Sequence, residues 1–286
     1  MIKMTYVDYL RQTGQQLFYG AGIYWRMYQK ALIPASPIPT FVDVDNRTGR
    51  RLLAESGAYL IRWSSDPTNQ ETPWWWMVCD NYDLVHLTSK MRNQIRRGHK
   101  DCTVRRISTE WLAEYGHECY KKAFNRYSYT IPADENEFRS CILSKIGYET
   151  LFENWGVFVE DRLVGYVECV VEGGEVNTSV IKYDPDYLKY YSAYAMMDTL
   201  LTHYVAERKL PMSNGTRAIS HDTDIQDFLL KFGYRRQYCK LNVMYQPYLK
   251  LIVSYLYPIR KFLPNKAHKI RALLFQEELK RKCQQI

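Results

Sequence analysis

Residues 155–183, WGVFVEDRLVGYVECVVEGGEVNTSVIKY, decide the fold. β-Branched and aromatic residues fill three short runs, parted by Glu160-Asp161-Arg162 and by Glu172-Gly173-Gly174. Runs of this kind between turn-forming clusters read as strands. Segments 155–159, 163–171 and 176–183 are therefore predicted to form an antiparallel meander. Asp184-Pro185 ends it, because proline has no N–H to give to a ladder. Beyond it, residues 190–207 place Ala193, Met196, Met197, Leu200, Leu201, Tyr204 and Val205 at the spacing of one buried helical face. A short strand near 212–218, a helix over 222–232 and a last strand over 234–244 complete this half.

Upstream, segments 58–63 and 74–79 end in Ser64-Ser65-Asp66-Pro67 and Asp80-Asn81 and read as short strands. Residues 88–97 look helical, Ser108 with Glu110 opens a helix reaching Phe124, and 135–146 forms another. Pro34, Pro37 and Pro39 keep their neighbourhood a loop. The order predicts an α/β chain of the α+β kind: a mixed, mostly antiparallel sheet flanked by helices, with a smaller N-terminal β-containing region. The expected divisions are 1–105, 106–246 and a basic amphipathic tail, 247–286.

With 286 residues, 46% hydrophobic and 24% charged, the chain has the composition of a globular protein. A chain of this length can bury roughly 75% of its unfolded surface, enough to fold without staples. Its seven scattered cysteines contain no CxxC pair, which excludes a disulfide scaffold and fits a reducing cytoplasm. Residues 1–14 hold no apolar run, and Lys250, Pro258, Arg260 and Lys261 interrupt the window 249–263, so neither a signal peptide nor a spanning helix is expected. The net charge of +8 is concentrated. Residues 90–106 carry seven Lys/Arg against Asp101, and 248–286 carry nine against Glu277 and Glu278.

Phe228-Leu-Leu-Lys-Phe-Gly-Tyr-Arg235, following the hairpin, the Asp-Pro and the long helix, resembles the segment that closes many GNAT acyltransferase domains; Gly233 supplies the helix C-cap. The stretch from Lys90 to Gly98, followed by Val104, is similar to the start of the second module in FemAB-like proteins, a GNAT-related group. The resemblance implies a GNAT-like acyltransferase domain over 106–246 and a degenerate GNAT-like module within 1–105. It aligns Lys189, Tyr191, Ser192, Ala193 and Tyr194 with the loop whose backbone N–H groups hold coenzyme A phosphates. Leu188, Tyr191 and Ala193 depart from that loop's pattern, and Leu229 stands where many GNAT enzymes carry a tyrosine acid.

The expected function is transfer of an acyl group from an acyl-CoA such as acetyl-CoA to an amine of a sugar or cell-envelope precursor, with no metal. Two alternatives are a FemAB-like transferase that takes its group from aminoacyl-tRNA, and a GNAT-like binding protein without chemistry. Glu168 and His221 are the candidate bases. Against this, Glu168 can pair with a nearby Lys or Arg, and Ser220-His221-Asp222 suits a helix cap. His117 and Cys119, two apart on a helix, point in different directions and do not suit a metal. Alternation places Trp74 and Trp76 on one strand face and Trp75 on the other, which suits packing better than a stacking platform.

Residues 90–106 fit tRNA phosphates or a solvated face. The tail's apolar stripes, Leu249, Ile252, Val253, Leu256 and Ile270, Leu273, Leu274, fit an anionic membrane surface bound through 249–283, and equally fit packing on the protein's own core. The expected location is cytoplasmic, peripheral at the inner face of the membrane if the tail binds there.

Overall fold

The computed structural model describes residues 4–126, 131–219, 224–264 and 267–285. The chain starts with α1 (Tyr6–Gln12), β1 (Leu17–Gly20), β2 (Ile23–Tyr28), β3 (Ala31–Pro34), α2 (Asn46–Ser56), β4 (Leu60–Thr68) and β5 (Trp75–Cys79). There follow α3 (Ser89–Asp101), β6 (Thr103–Ile107), α4 (Thr109–Tyr115), α5 (His117–Ala123), α6 (Glu135–Leu143), β7 (Phe152–Val159), β8 (Arg162–Glu172) and β9 (Glu175–Tyr183). The last elements are α7 (Ser192–Leu201), β10 (Met212–Thr216), α8 (Ile225–Leu230), β11 (Arg235–Tyr245), α9 (Pro247–Leu256) and α10 (His268–Cys283).

Two compact units are drawn from non-contiguous segments. The first holds Met1–Thr5, Val78–Gly215 and Asp227–Arg235; the second holds Tyr6–Met77, Thr216–Gln226 and Arg236–Ile286.

In the first unit the three-strand meander stands as read, with β7, β8 and β9 antiparallel in order; β6, a strand not expected, extends it antiparallel to β7, and β10 joins β9 in parallel. Val164, Tyr166, Val167, Cys169 and Val170 of β8 are all buried, as expected of a strand covered on both faces. On one face Tyr166 and Phe158 pack with Leu112, Cys119, Phe138 and Ile142 from α4, α5 and α6. On the other, α7 buries Met196, Met197, Leu200 and Leu201, each such side chain contributing roughly 1.5–3 kcal/mol. The helix expected over 108–124 is two helices broken at Gly116, whose N–H caps Leu112 O. The helix expected over 190–207 starts at Ser192, because Asp184-Pro185 first opens a tight turn, Pro185–Tyr190, and Tyr191 takes the left-handed conformation at φ +59°. Its last turn widens to a π-type turn over Thr202–Glu207. Gly233 sits at φ +89° after α8, the conformation its place at a helix end requires.

Helix α3 lies against α7, and Gly98 makes the close approach. A Cβ at residue 98 would come 2.7 Å from the Tyr191 carbonyl oxygen and 3.1 Å from the Ala195 nitrogen. Arg97 stacks on the Tyr191 ring at 4.7 Å, and His99 meets Asp198 of α7 at 2.6 Å.

In the second unit β1, β2 and β3 form a meander, β3 runs parallel to β4, and β11 pairs antiparallel with β4 from Tyr245↔Leu60 to Tyr238↔Thr68. The Cys239 N–H donates to Trp74 O. Trp74 and Trp76 share a face, both indoles donating to Ser64 Oγ, at 3.0 and 3.3 Å, while Trp75 donates instead to Gln226. Most of the tail's apolar stripes pack inward: Val253, Leu274, Leu279 and Cys283 join Leu60, Leu241 and Val243 in one core, with Leu249, Leu256 and Leu273 against it, whereas Ile252 and Ile270 are exposed. No helix among the described residues is long and apolar enough to cross a membrane.

Buried Glu277 holds α10 through Arg281 at 2.8 Å and Lys280 at 3.1 Å; Glu278 pairs with Lys282 at 2.8 Å and Arg260 at 3.2 Å. Burial alone would raise the Glu277 carboxyl, but Arg281 and Lys280 outweigh it and hold it below its ordinary value. Lys282, with Arg260, holds Glu278 low despite some burial.

Two outcomes follow. Gly98→Val, which forces a side chain onto backbone, should lower stability by about 1–3 kcal/mol, read as a lower midpoint in urea. The two depressed glutamates give stability that is full above their ordinary value of 4.5 and lost as pH falls through their lowered values. The melting temperature should therefore drop between about pH 5 and pH 3, and drop less in Glu277→Gln/Glu278→Gln.

Candidate functional site

The parallel ladder between β9 and β10 has two registered pairs, Met212↔Val176 and Ser213↔Asn177, and stops there. On the other side of β9, Glu168↔Val180 is followed by Cys169↔Thr178, so Ser179 is an extra residue and the strand bulges. Past Asn177 the ladder of β9 and β10 ends within the first unit, and side chains rather than ladder bonds join the strands at this wedge.

Four polar side chains stand at the point where the strands part. Asn177 Nδ2 donates to Ser213 Oγ at 2.9 Å, and Ser213 Oγ donates to Val176 O at 3.3 Å. Thr178 Oγ1 donates to Ser213 O at 3.3 Å and accepts from Asn214 Nδ2 at 2.5 Å. Asn177, Thr178 and Ser213 are buried and Asn214 is half-buried. Neutral donors of this kind can polarise a carbonyl and stabilise an oxyanion formed from it. Sequence reasoning passed over them. Their signal is a polar run, Asn177-Thr178-Ser179, inside an apolar strand, and a second, Ser213-Asn214, in the strand beside it.

Glu168, one expected base, is buried on β8 in an ion pair with buried Lys145, and it accepts from Ser179 Oγ at 2.9 Å. The bulge brings Ser179 back to this carboxylate, so Glu168 fixes the shape of the strand beside the wedge. His221, the other expected base, lies outside the described residues.

The five residues expected to hold a cofactor gather at the start of α7. Lys189 is exposed and stacks its ammonium on Tyr190 at 5.3 Å. Tyr191 carries Arg97 on its ring and accepts from that guanidinium at 3.3 Å. Ser192 has no exposed surface and its hydroxyl donates to Tyr187 O at 3.4 Å. Ala193 is half-buried, and Tyr194 packs against Phe228 and Phe232. The opening turn of α7 is therefore overlaid by α3 at Gly98 and faces protein there.

Three more buried carboxylates tie helices in place. Glu153 accepts from Tyr204 at 2.5 Å, with Arg208 at 3.4 Å and Arg106 at 3.6 Å, while Trp155 donates to the same tyrosine at 2.9 Å. Burial, together with Cys169 and the Glu153 bond, raises the Tyr204 phenol, which keeps its proton as a donor. Asp198 accepts from Tyr82 at 2.6 Å and meets His99, and Asp184 meets Lys122 at 3.3 Å. Burial pushes the thiols of Cys79 and Cys119 up to about 12 and of Cys102 to about 11, so these stay protonated and weakly nucleophilic near neutrality. His117 Nε2 lies 3.2 Å from Ala133 O.

The outer face of α3 is basic: Lys90, Arg92, Arg96, Arg97 and Lys100 are exposed while Met91, Ile95 and Gly98 are buried. Arg92 turns back to the Leu87 carbonyl at 2.5 Å and Arg97 to Tyr191. Lys90, Arg96 and Lys100 make no comparable contact among the described residues.

No protein-family model matches the chain, and no curated protein does. Solved structures match over nearly its full length. FemX is 12% identical with a TM-score of 0.59, covering 88% of this chain and 94% of FemX. The C-terminal domain of an Agrobacterium fabrum protein assigned as a lysylphosphatidylglycerol synthetase is 9% identical with a TM-score of 0.57, covering 89% and 92%. L-PGS from Bacillus licheniformis is 13% identical with a TM-score of 0.52, covering 96% and 92%. The chain shares the fold of these structures, a mixed, mostly antiparallel sheet flanked by helices as expected.

The Lys145–Glu168 pair gives a direct test of how the wedge is held. Lys145→Met leaves a buried carboxylate without its cation and should cost about 3–5 kcal/mol, whereas Lys145→Met with Glu168→Leu should recover most of the loss. Urea unfolding of the two variants measures both; equal losses would mean that the carboxylate has other compensation.

Proposed function

We propose that the chain is an aminoacyltransferase, taking an aminoacyl ester from tRNA and passing it to an amine or hydroxyl of an envelope or lipid acceptor. The observation that carries this over the coenzyme A reading is the covered start of α7. A pyrophosphate bound in the GNAT manner needs the first N–H groups of that helix open to it. Here Gly98 brings α3 onto Tyr191 and Ala195, and Ser192 is fully buried. The same helix turns Lys90, Arg96 and Lys100 outward, a charge pattern suited to a polyanion. The name of the lysylphosphatidylglycerol synthetase points in the same direction, since it names a lysyl group joined to a lipid.

In this reading the ester carbonyl enters the wedge between β9 and β10. The acceptor's nitrogen or oxygen attacks the carbonyl carbon, a new amide or ester bond forms, and the bond to the terminal ribose oxygen breaks. That ribose oxygen leaves with the proton the nucleophile gives up. Asn177 and Asn214 face the oxyanion. Ser213 lies between Asn177 and the Val176 carbonyl, and among the described residues no base meets its hydroxyl, so this reading takes the acceptor's attack as direct.

Filter binding of bulk aminoacylated tRNA at two salt concentrations tests the donor. Affinity should fall steeply with salt, and Lys90→Ala/Arg96→Ala/Lys100→Ala should flatten the log–log slope by about 3. Asn214→Ala should slow amine-dependent deacylation by about 10²-fold while leaving tRNA binding intact. Saturable acetyl-CoA binding with no tRNA binding would restore the acyl-CoA reading, and no deacylation would favour a non-catalytic chain.

A further inference from the structure

Helix α9, PYLKLIVSYL, is apolar nearly all round, and a helix of that kind belongs inside a core or against lipid. Among the described residues only one of its faces is satisfied by protein. Leu249, Val253 and Leu256 pack on the core of the second unit. The opposite face presents Tyr248, Leu251, Ile252 and Tyr255, spaced as one helical stripe, with Leu251 73% and Tyr255 80% exposed. The turn that follows adds Ile259 and Phe262, the latter 86% exposed. Single exposed apolar residues are ordinary, but a continuous stripe of this size marks a surface that is covered in use.

Charge identifies the occupant. From Phe228 to Gln276 the sequence contains no acidic residue. Lys250, Lys261 and Lys269 stand exposed beside the apolar stripe. Tyrosine and phenylalanine bordered by lysine suit the headgroup level of a bilayer, where rings sit half in hydrocarbon and ammonium groups reach phosphate. A second copy of the chain meeting this face by two-fold symmetry would set lysine against lysine.

The flank of the same helix supplies a seat for a headgroup. A pocket of about 640 Å³ opens between α9, α2 and α10. Arg50, Lys250 and Lys280 line it together with Asn46, Asn242 and Gln284, and no carboxylate does. Lys280 is partly neutralised by Glu277, whereas Arg50 and Lys250 have no anionic partner among the described residues. Lys250 belongs to both features, lying on the pocket side of α9 next to Leu251.

We propose that the second unit docks on an anionic membrane through the outer face of α9, with a lipid phosphate held in the adjoining pocket by Arg50 and Lys250. This is a binding property of the second unit and holds whether or not the transfer chemistry proposed above is right. It also differs from the amphipathic reading of the tail's sequence, since of those stripes Leu249, Val253, Leu256, Leu273 and Leu274 face the core and Ile252 alone belongs to the outward face of α9.

Sedimentation of the full chain with vesicles tests it. Vesicles of equal parts phosphatidylglycerol and phosphatidylcholine should bind the protein at least tenfold more tightly than phosphatidylcholine alone, and more weakly as salt rises. Leu251→Glu/Tyr255→Glu should abolish binding with an unchanged melting temperature, since both side chains are already in water. Arg50→Ala/Lys250→Ala should weaken binding more than tenfold, at about fivefold per cation, and remove any preference for phosphatidylglycerol. Equal binding by the wild type and the glutamate variant would overturn the proposal. So would a dimer in sedimentation velocity that the glutamate variant breaks, with no vesicle binding by either protein. Inhibition by free inorganic phosphate as strong as by the vesicles would mean that the pocket serves a soluble phosphate, and would overturn the lipid assignment.

Discussion

Gly98 lets α3 lie directly on the first turn of α7, and much of the first unit is arranged around that contact. With any side chain at residue 98 the two backbones would have to separate, because the nearest atoms are the Tyr191 carbonyl and the Ala195 nitrogen rather than the tip of a flexible side chain. The approach places Arg97 on the Tyr191 ring and brings His99 to Asp198, so one helix seats three successive residues on another. It also turns the basic residues of α3 outward, since Met91, Ile95 and Gly98 occupy the buried side. Covering the start of α7 and creating a cationic surface are thus two consequences of one packing event.

The buried carboxylates of this unit act as positioning devices. Glu153, Glu168, Asp184 and Asp198 are all buried, and each has a cation, a hydroxyl or both within reach. Such groups seldom add net stability over apolar residues of the same shape, because desolvation offsets the attraction. What they add is geometry. Glu168 with Lys145 and Ser179 holds the bulge that turns β9 away from its regular register, and Asp198 with Tyr82 and His99 holds α7 under α3. A wedge between two parallel strands has no ladder to fix its angle, so it depends on fixed neighbours of this sort.

The meander, the Asp-Pro stop and the closing Phe-Gly-Tyr segment were legible in the sequence because strand and turn chemistry is local. The α7 stripe was legible for the same reason, although its first residue moved from 190 to 192 once Tyr191 took a left-handed turn. What was not legible depended on distant partners. Lys145 gives no sign in sequence that it will meet Glu168 across 23 positions. The four polar residues at the wedge come from two strands 36 residues apart, and only their joint position gives them a chemistry. Strands β1 to β3 were harder to read because aromatic residues stand on both faces, Phe18 and Trp25 buried and Tyr19 and Tyr28 facing water.

The second unit shows where pattern reading divides a residue set wrongly. In α9 the sequence offers apolar residues in almost every position, so more than one stripe can be drawn through it. Periodicity alone chose the stripe through Val253, which the core of the unit takes, and left the one through Leu251 and Tyr255 without a role. A single apolar face would have been explained by the fold; two faces require two environments, and only one of them is protein. Because the chain from α9 as far as Gln276 carries lysine and no acid, the second environment has to accept cations at the edge of an apolar surface. Packing against the core therefore does not compete with an external apolar partner in this helix: the core fixes the angle at which the outer face is presented.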